Sequence, residues 1–143
     1  MKLKKTAPLV LVSILGMVSI ILPVFILGDL RHYESPLFPL IRTGIEGFSL
    51  YSLLFLLVSG STVKLFSDIP FWKIGLMSMA LFPLATLCEM IADSSSHNMF
   101  PIEFIFYGFY TIPAILGAYS SQVIKNYVVQ KKYKLGIRLF CSD

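Results

Sequence analysis

A chain of 143 residues with 56% hydrophobic and 14% charged residues falls well short of the about 25% charged content of ordinary soluble domains. Its mean hydropathy of +0.77 and its long apolar runs point to a bilayer. The net charge of +4 does not signal a nucleic-acid binder, because the basic residues stand at the ends of apolar segments, where membrane topology puts them.

The expectation is an all-α integral membrane protein: one domain over 1–143, four transmembrane helices in a compact left-handed bundle, and both termini cytoplasmic. Residues 2–5, Lys-Leu-Lys-Lys, precede an apolar run from Ala7 to Gly28. The run is longer than the 7–15 residues or so of a signal-peptide core, and no small-x-small cleavage site precedes Asp29. It reads as an uncleaved first helix, 7–28, with Pro23 kinking its outer part. A loop over 29–40 carries Pro36 and Pro39, which break helices. A second helix is expected over 40–63, stopping before Lys64.

Trp72 beside Lys73 is an interfacial anchor pair, and a third helix follows over 71–92 with Pro83 near its middle. The serine-rich turn leads to Pro101, a favourable first helical residue. The fourth helix spans 101–124, interrupted by Pro113, and a basic tail occupies 125–143. Ser13, Gly16 and Ser19, and likewise Ala114 and Ala118, recur at helix-face spacing and predict close helix contacts. Cys88, inside an apolar segment, is expected to be packed and inert. Cys141 lies at the opposite face, which makes an intrachain disulfide untenable.

Orientation follows from the cations. Of the 12 Lys and Arg, only Arg31 and Arg42 fall on the side opposite the termini. That bias places the termini in the cytoplasm, and short loops without paired cysteines favour a bacterial inner membrane.

The polar residues gather at the outer side. Counting about 1.5 Å per helical residue from Lys64 and Lys73, Glu46 is about 27 Å and Glu89 about 24 Å away, both inside the outer third of a core about 30 Å thick. Glu103, near the start of the fourth helix, belongs at a similar depth. Arg42 and Glu46 can pair at i,i+4. Glu89 and Asp93, also i,i+4, stack two acids, so either one is protonated or a cation stands nearby. His97 and Asn98 complete the group in the turn between helices. Ionisable residues within a membrane face the bundle interior or a wet cavity.

Three readings of this cluster follow. As structure, it is an ion-pair and capping network that fixes helix packing. As a binding site, Arg42, Glu46, Glu89, Asp93, His97, Asn98 and Glu103 engage a partner protein or a lipid headgroup, which is the leading expectation: a non-enzymatic multi-pass protein. As a metal site, Glu89, Asp93, His97 and Glu103 supply donors suited to a divalent cation, and the protein is then an enzyme acting at the outer leaflet. No fixed-spacing metal motif, phosphate loop or lipidation signal accompanies them. A small transporter is the further alternative at this size, although residues 7–28 carry no charge.

Overall fold

The structure, a computed structural model, describes residues 3–27, 45, 47, 49–92 and 100–140, and for 3–5, 100 and 132–140 the backbone alone. The described residues are helical with no strand. The elements are α1 (Leu3–Leu27), α2 (Leu50–Phe66), α3 (Phe71–Ser78), α4 (Leu81–Ala92) and α5 (Phe100–Phe140). Among the described residues, three stretches are long and apolar enough to cross a bilayer: Thr6–Leu27, Phe71–Ala92 and Pro101–Lys131. Leu50–Phe66 is a shorter apolar helix.

Local chemistry moves several expected boundaries. A helix begins at Leu50, Ile45 is itself helical before the turn at Gly47, and the expected start near Leu40 lies outside the described residues. Gly47 lies in a turn, and Ser49 is extended (φ −116°, ψ 168°), its hydroxyl accepting from the Ser52 N–H at 3.4 Å. A serine at this position satisfies one of the free N–H groups of the first turn. The unbroken helical rise from Lys64 reaches Leu50, about 21 Å away, and Glu46 lies outside the described residues. At its other end the helix runs past Lys64 to Phe66. Lys64 is buried and donates from Nζ to the Ile69 carbonyl at 2.7 Å, while the Ser67 hydroxyl closes back on the Val63 carbonyl at 2.7 Å. A lysine that finds a carbonyl in the next loop need not end the helix.

The expected helix over 71–92 is divided at Met79–Ala80. Proline at 83 lacks the N–H that would bond the Met79 carbonyl, and its ring crowds that oxygen. The chain tightens there, with Ala80 N–H bonding Met77 (3.3 Å) and Phe82 N–H bonding Met79 (3.1 Å). Met79 itself takes φ −104°, ψ 1°. Pro113 does not interrupt α5, which continues to Phe140, sixteen residues beyond the expected end at Ile124.

Packing follows membrane rules. Helices in lipid gain nothing by hiding leucine from lipid tails, so close backbone approach and interhelical hydrogen bonds hold them together. Accordingly the small residues lie inside: Ser13, Ser19, Ser52, Ser59 and Ser78 are buried, and Ala114 and Ala118 are wholly so. Large apolar side chains such as Ile26, Phe66 and Ile91 face outward, Ile91 at 87% exposure. A Cβ on Gly16 would collide with the Ser78 carbonyl, on Gly60 with that of Ala114, and on Gly117 with that of Leu57. The first contact joins α1 to α3, and the Ser13 hydroxyl reinforces it by donating to Met77 at 2.7 Å. The other two make α2–α5 the most extensive pair. α4 packs more sparsely, on α1 and α5.

Two apolar clusters stack along the bundle. One joins Val12, Val63, Ile74 and Ala118, and the other Ile20, Leu56, Met79, Phe82 and Tyr107. Reading each helix from one cluster to the other, α1 and the α3–α4 pair run one way, and α2 and α5 run the other.

Around the first cluster the ends are tied together. Lys125 on α5 donates to Asp68 in the α2–α3 loop at 2.8 Å, Phe71 meets Tyr119 edge-on at 5.6 Å, and Lys73 lies 5.2 Å from the Trp72 ring. The Lys125 hydrogen bond and its charge hold the Asp68 carboxyl below its ordinary value of 3.8. With a depressed folded-state value, the bridge contributes fully above pH 3.8 and is lost as pH falls through the lower folded value. Lys125→Gln is expected to return the Asp68 titration upward, read by carboxyl NMR; an unmoved Asp68 would refute the pairing. Because the pair is solvent-exposed, its effect on stability is expected to be slight.

Candidate functional site

The second cluster leads to the polar residues. On α4, Phe82, Thr86 and Glu89 are buried and spaced i, i+4, i+7, which puts them on one face. That face meets α5. The Tyr107 ring lies 6.0 Å from Phe82 and 5.8 Å from Phe104, and its hydroxyl is 2.8 Å from the Thr86 hydroxyl. Either hydroxyl of the Thr86–Tyr107 pair can be the donor. The same Tyr107 hydroxyl lies within electrostatic range of Glu103, one turn earlier on α5, and of Glu89.

Glu89 is 6% exposed, and Glu103 is half-buried in the first turn of α5. An acid in that position is favoured by the partial positive charge of a helix N-terminus. The two glutamates, on separate helices, both lie within electrostatic range of the Tyr107 hydroxyl. Arg42, Glu46, Asp93, His97 and Asn98 lie outside the described residues.

Thr86 and Tyr107 escaped the sequence reading. The signal was present: Thr86 precedes Glu89 by three residues and Tyr107 follows Glu103 by four, each one helical turn away on the same face. Cys88 corrects an expectation, since it is exposed, not packed. One residue from Glu89 turns the chain by about 100° around a helix, onto the outward side shared by Leu84, Leu87 and Ile91.

The arrangement offers two carboxylates at the end of the bundle, backed by two hydroxyls and an aromatic wall. It suits a cationic group. Among the described residues no three His, Cys, Asp or Glu side chains gather as a metal site; of the four expected metal donors, Glu89 and Glu103 are described and Asp93 and His97 are not. Comparison with known protein families, with curated proteins and with solved structures finds no match to this chain.

Proposed function

We propose that this chain is a four-span membrane protein, both termini cytoplasmic, in a bacterial inner membrane, and that it binds a cationic group at its outer face without catalysing a reaction. The alternating direction of the helices supports four spans. At 17 residues, α2 is about 26 Å long, at the short end of what crosses a bilayer core. The bias of Lys and Arg toward one side supports the orientation.

The observation that carries the binding reading is that the buried Glu89 and the half-buried Glu103 both lie within electrostatic range of Tyr107. An ammonium or guanidinium, from a lipid headgroup or a partner protein's Lys or Arg, complements two carboxylates in a partly dry setting. The interior hydroxyls favour a packed bundle over a conducting path, because those of Ser19, Ser59, Ser78 and Thr111 are spent on backbone carbonyls of their own helices.

The test compares wild type with Glu89→Gln/Glu103→Gln, purified gently from native membranes. Bound lipids and proteins are identified by mass spectrometry, and thermal unfolding is followed in parallel. The expected result is loss of one bound species by at least about tenfold, the equivalent of 1.4 kcal/mol, with little change in melting temperature. An unchanged set of bound species with a large drop in melting temperature would make the glutamates a packing network. Elemental analysis separates the metal-dependent enzyme: a stoichiometric metal that disappears in Glu89→Gln/His97→Ala would replace the binding reading.

A further inference from the structure

The bundle ends well before α5 does. Lys125 is tied to Asp68, four residues before the Trp72–Lys73 pair, so Lys125 stands at the level of that interfacial anchor. Helix nevertheless continues to Phe140, a further fifteen residues or about 22 Å. Nothing described packs on its first part, where Tyr127, Val128, Val129 and Lys131 are all exposed.

The sequence of this extension is one-sided in charge. Lys125, Lys131, Lys132, Lys134 and Arg138 are basic, and no acid occurs between Glu103 and Asp143. The cations alternate with Tyr127, Val128, Val129, Tyr133, Leu135, Ile137, Leu139 and Phe140. A second copy of the same helix would set like charges against each other. A surface of phosphates offers the opposite charge, and each Lys or Arg near such a surface adds to the attraction.

We propose that residues 125–140 form a basic juxtamembrane helix that binds the anionic phospholipid headgroups of the leaflet from which it emerges. The cations follow Lys125 along the helix, and their charge draws the segment to the phosphates. This surface is separate from the glutamate site at the other end of the bundle and does not depend on it.

The full chain, in a Cys88→Ser background, is labelled at Cys141 with an environment-sensitive fluorophore. It is reconstituted with the tail outward in vesicles of phosphatidylcholine alone or with phosphatidylglycerol added. Quenching by acrylamide, which is uncharged, reports how far the tail end is exposed. The expected result is quenching at least about threefold weaker with phosphatidylglycerol, restored in salt near 1 M, where the screening length falls to about 3 Å. Lys131→Gln/Lys132→Gln/Lys134→Gln is expected to abolish the protection while the bundle's thermal unfolding stays unchanged. Equal quenching in the two vesicle types overturns the proposal, and so does protection that survives either the salt or the triple substitution.

Discussion

Gly117→Leu and Gly60→Leu are each expected to destroy the folded bundle. The obstacle at both positions is a backbone carbonyl, of Leu57 against Gly117 and of Ala114 against Gly60. A flexible side chain could rotate away; a carbonyl within a helix cannot. Accommodating leucine requires α2 and α5 to separate along their whole contact. Overpacking a core costs about 1–3 kcal/mol where side chains can adjust, and here the loss is expected to exceed that range. Gly108 supplies the control. A Cβ there meets nothing, so Gly108→Ala is expected to gain up to about 1 kcal/mol from reduced backbone freedom in the unfolded chain. Unfolding in mixed micelles of increasing denaturing detergent measures all three. A Gly117→Leu protein that unfolds at the wild-type detergent fraction would refute the α2–α5 contact.

Tyr107→Ala is expected to cost about 3–5 kcal/mol, the usual range for emptying a buried aromatic site. The ring joins Ile20, Leu56, Met79 and Phe82 in one cluster and stacks between Phe82 and Phe104. Its loss uncouples α4, which packs more sparsely than its neighbours. Tyr107→Phe separates the ring from its hydroxyl. It keeps the packing and removes the hydrogen bond to Thr86, for an expected cost of about 1 kcal/mol. Thr86→Val is expected to cost a similar amount, and the double variant less than the sum, because both singles remove the same bond. Strict additivity in that cycle would show that the Thr86–Tyr107 pair is not a working contact.

How much of this was legible beforehand differs from element to element. The apolar runs of α1 and of Phe71–Ala92 could be read because a bilayer requires length and apolarity, both properties of a linear string. The small-residue stripes at Ser13, Gly16 and Ser19 and at Ala114 and Ala118 were legible for a similar reason, since spacing on a helix reveals a shared face. The break before α2 was not foreseen because the turn at Gly47 and the cap at Ser49 are local backbone events that hydropathy does not mark. The end of α5 was missed because nothing apolar marks it: the helix continues on chain propensity past the point where the bilayer's demand stops.

The candidate site divides in the same way. Glu89 and Glu103 stood out because charge is rare in this chain and both fell near one depth. Thr86 and Tyr107 did not, since a hydroxyl in an apolar helix is more often spent on its own backbone, as at Ser19 and Ser59. What distinguishes the Thr86–Tyr107 pair is a partner on another helix, 21 positions away, which no local pattern encodes.

The sequence by itself determined that this protein belongs in a membrane and which residues are small enough for helices to meet, because hydropathy, length and spacing are additive along a chain. Only the tertiary structure decided which helices meet, that Thr86 and Tyr107 pair across two of them, that Lys64 closes a loop from inside, and that Cys88 faces out. Those outcomes depend on the rotation of each helix about its axis, and a single residue of offset turns a side chain by about 100° from core to lipid.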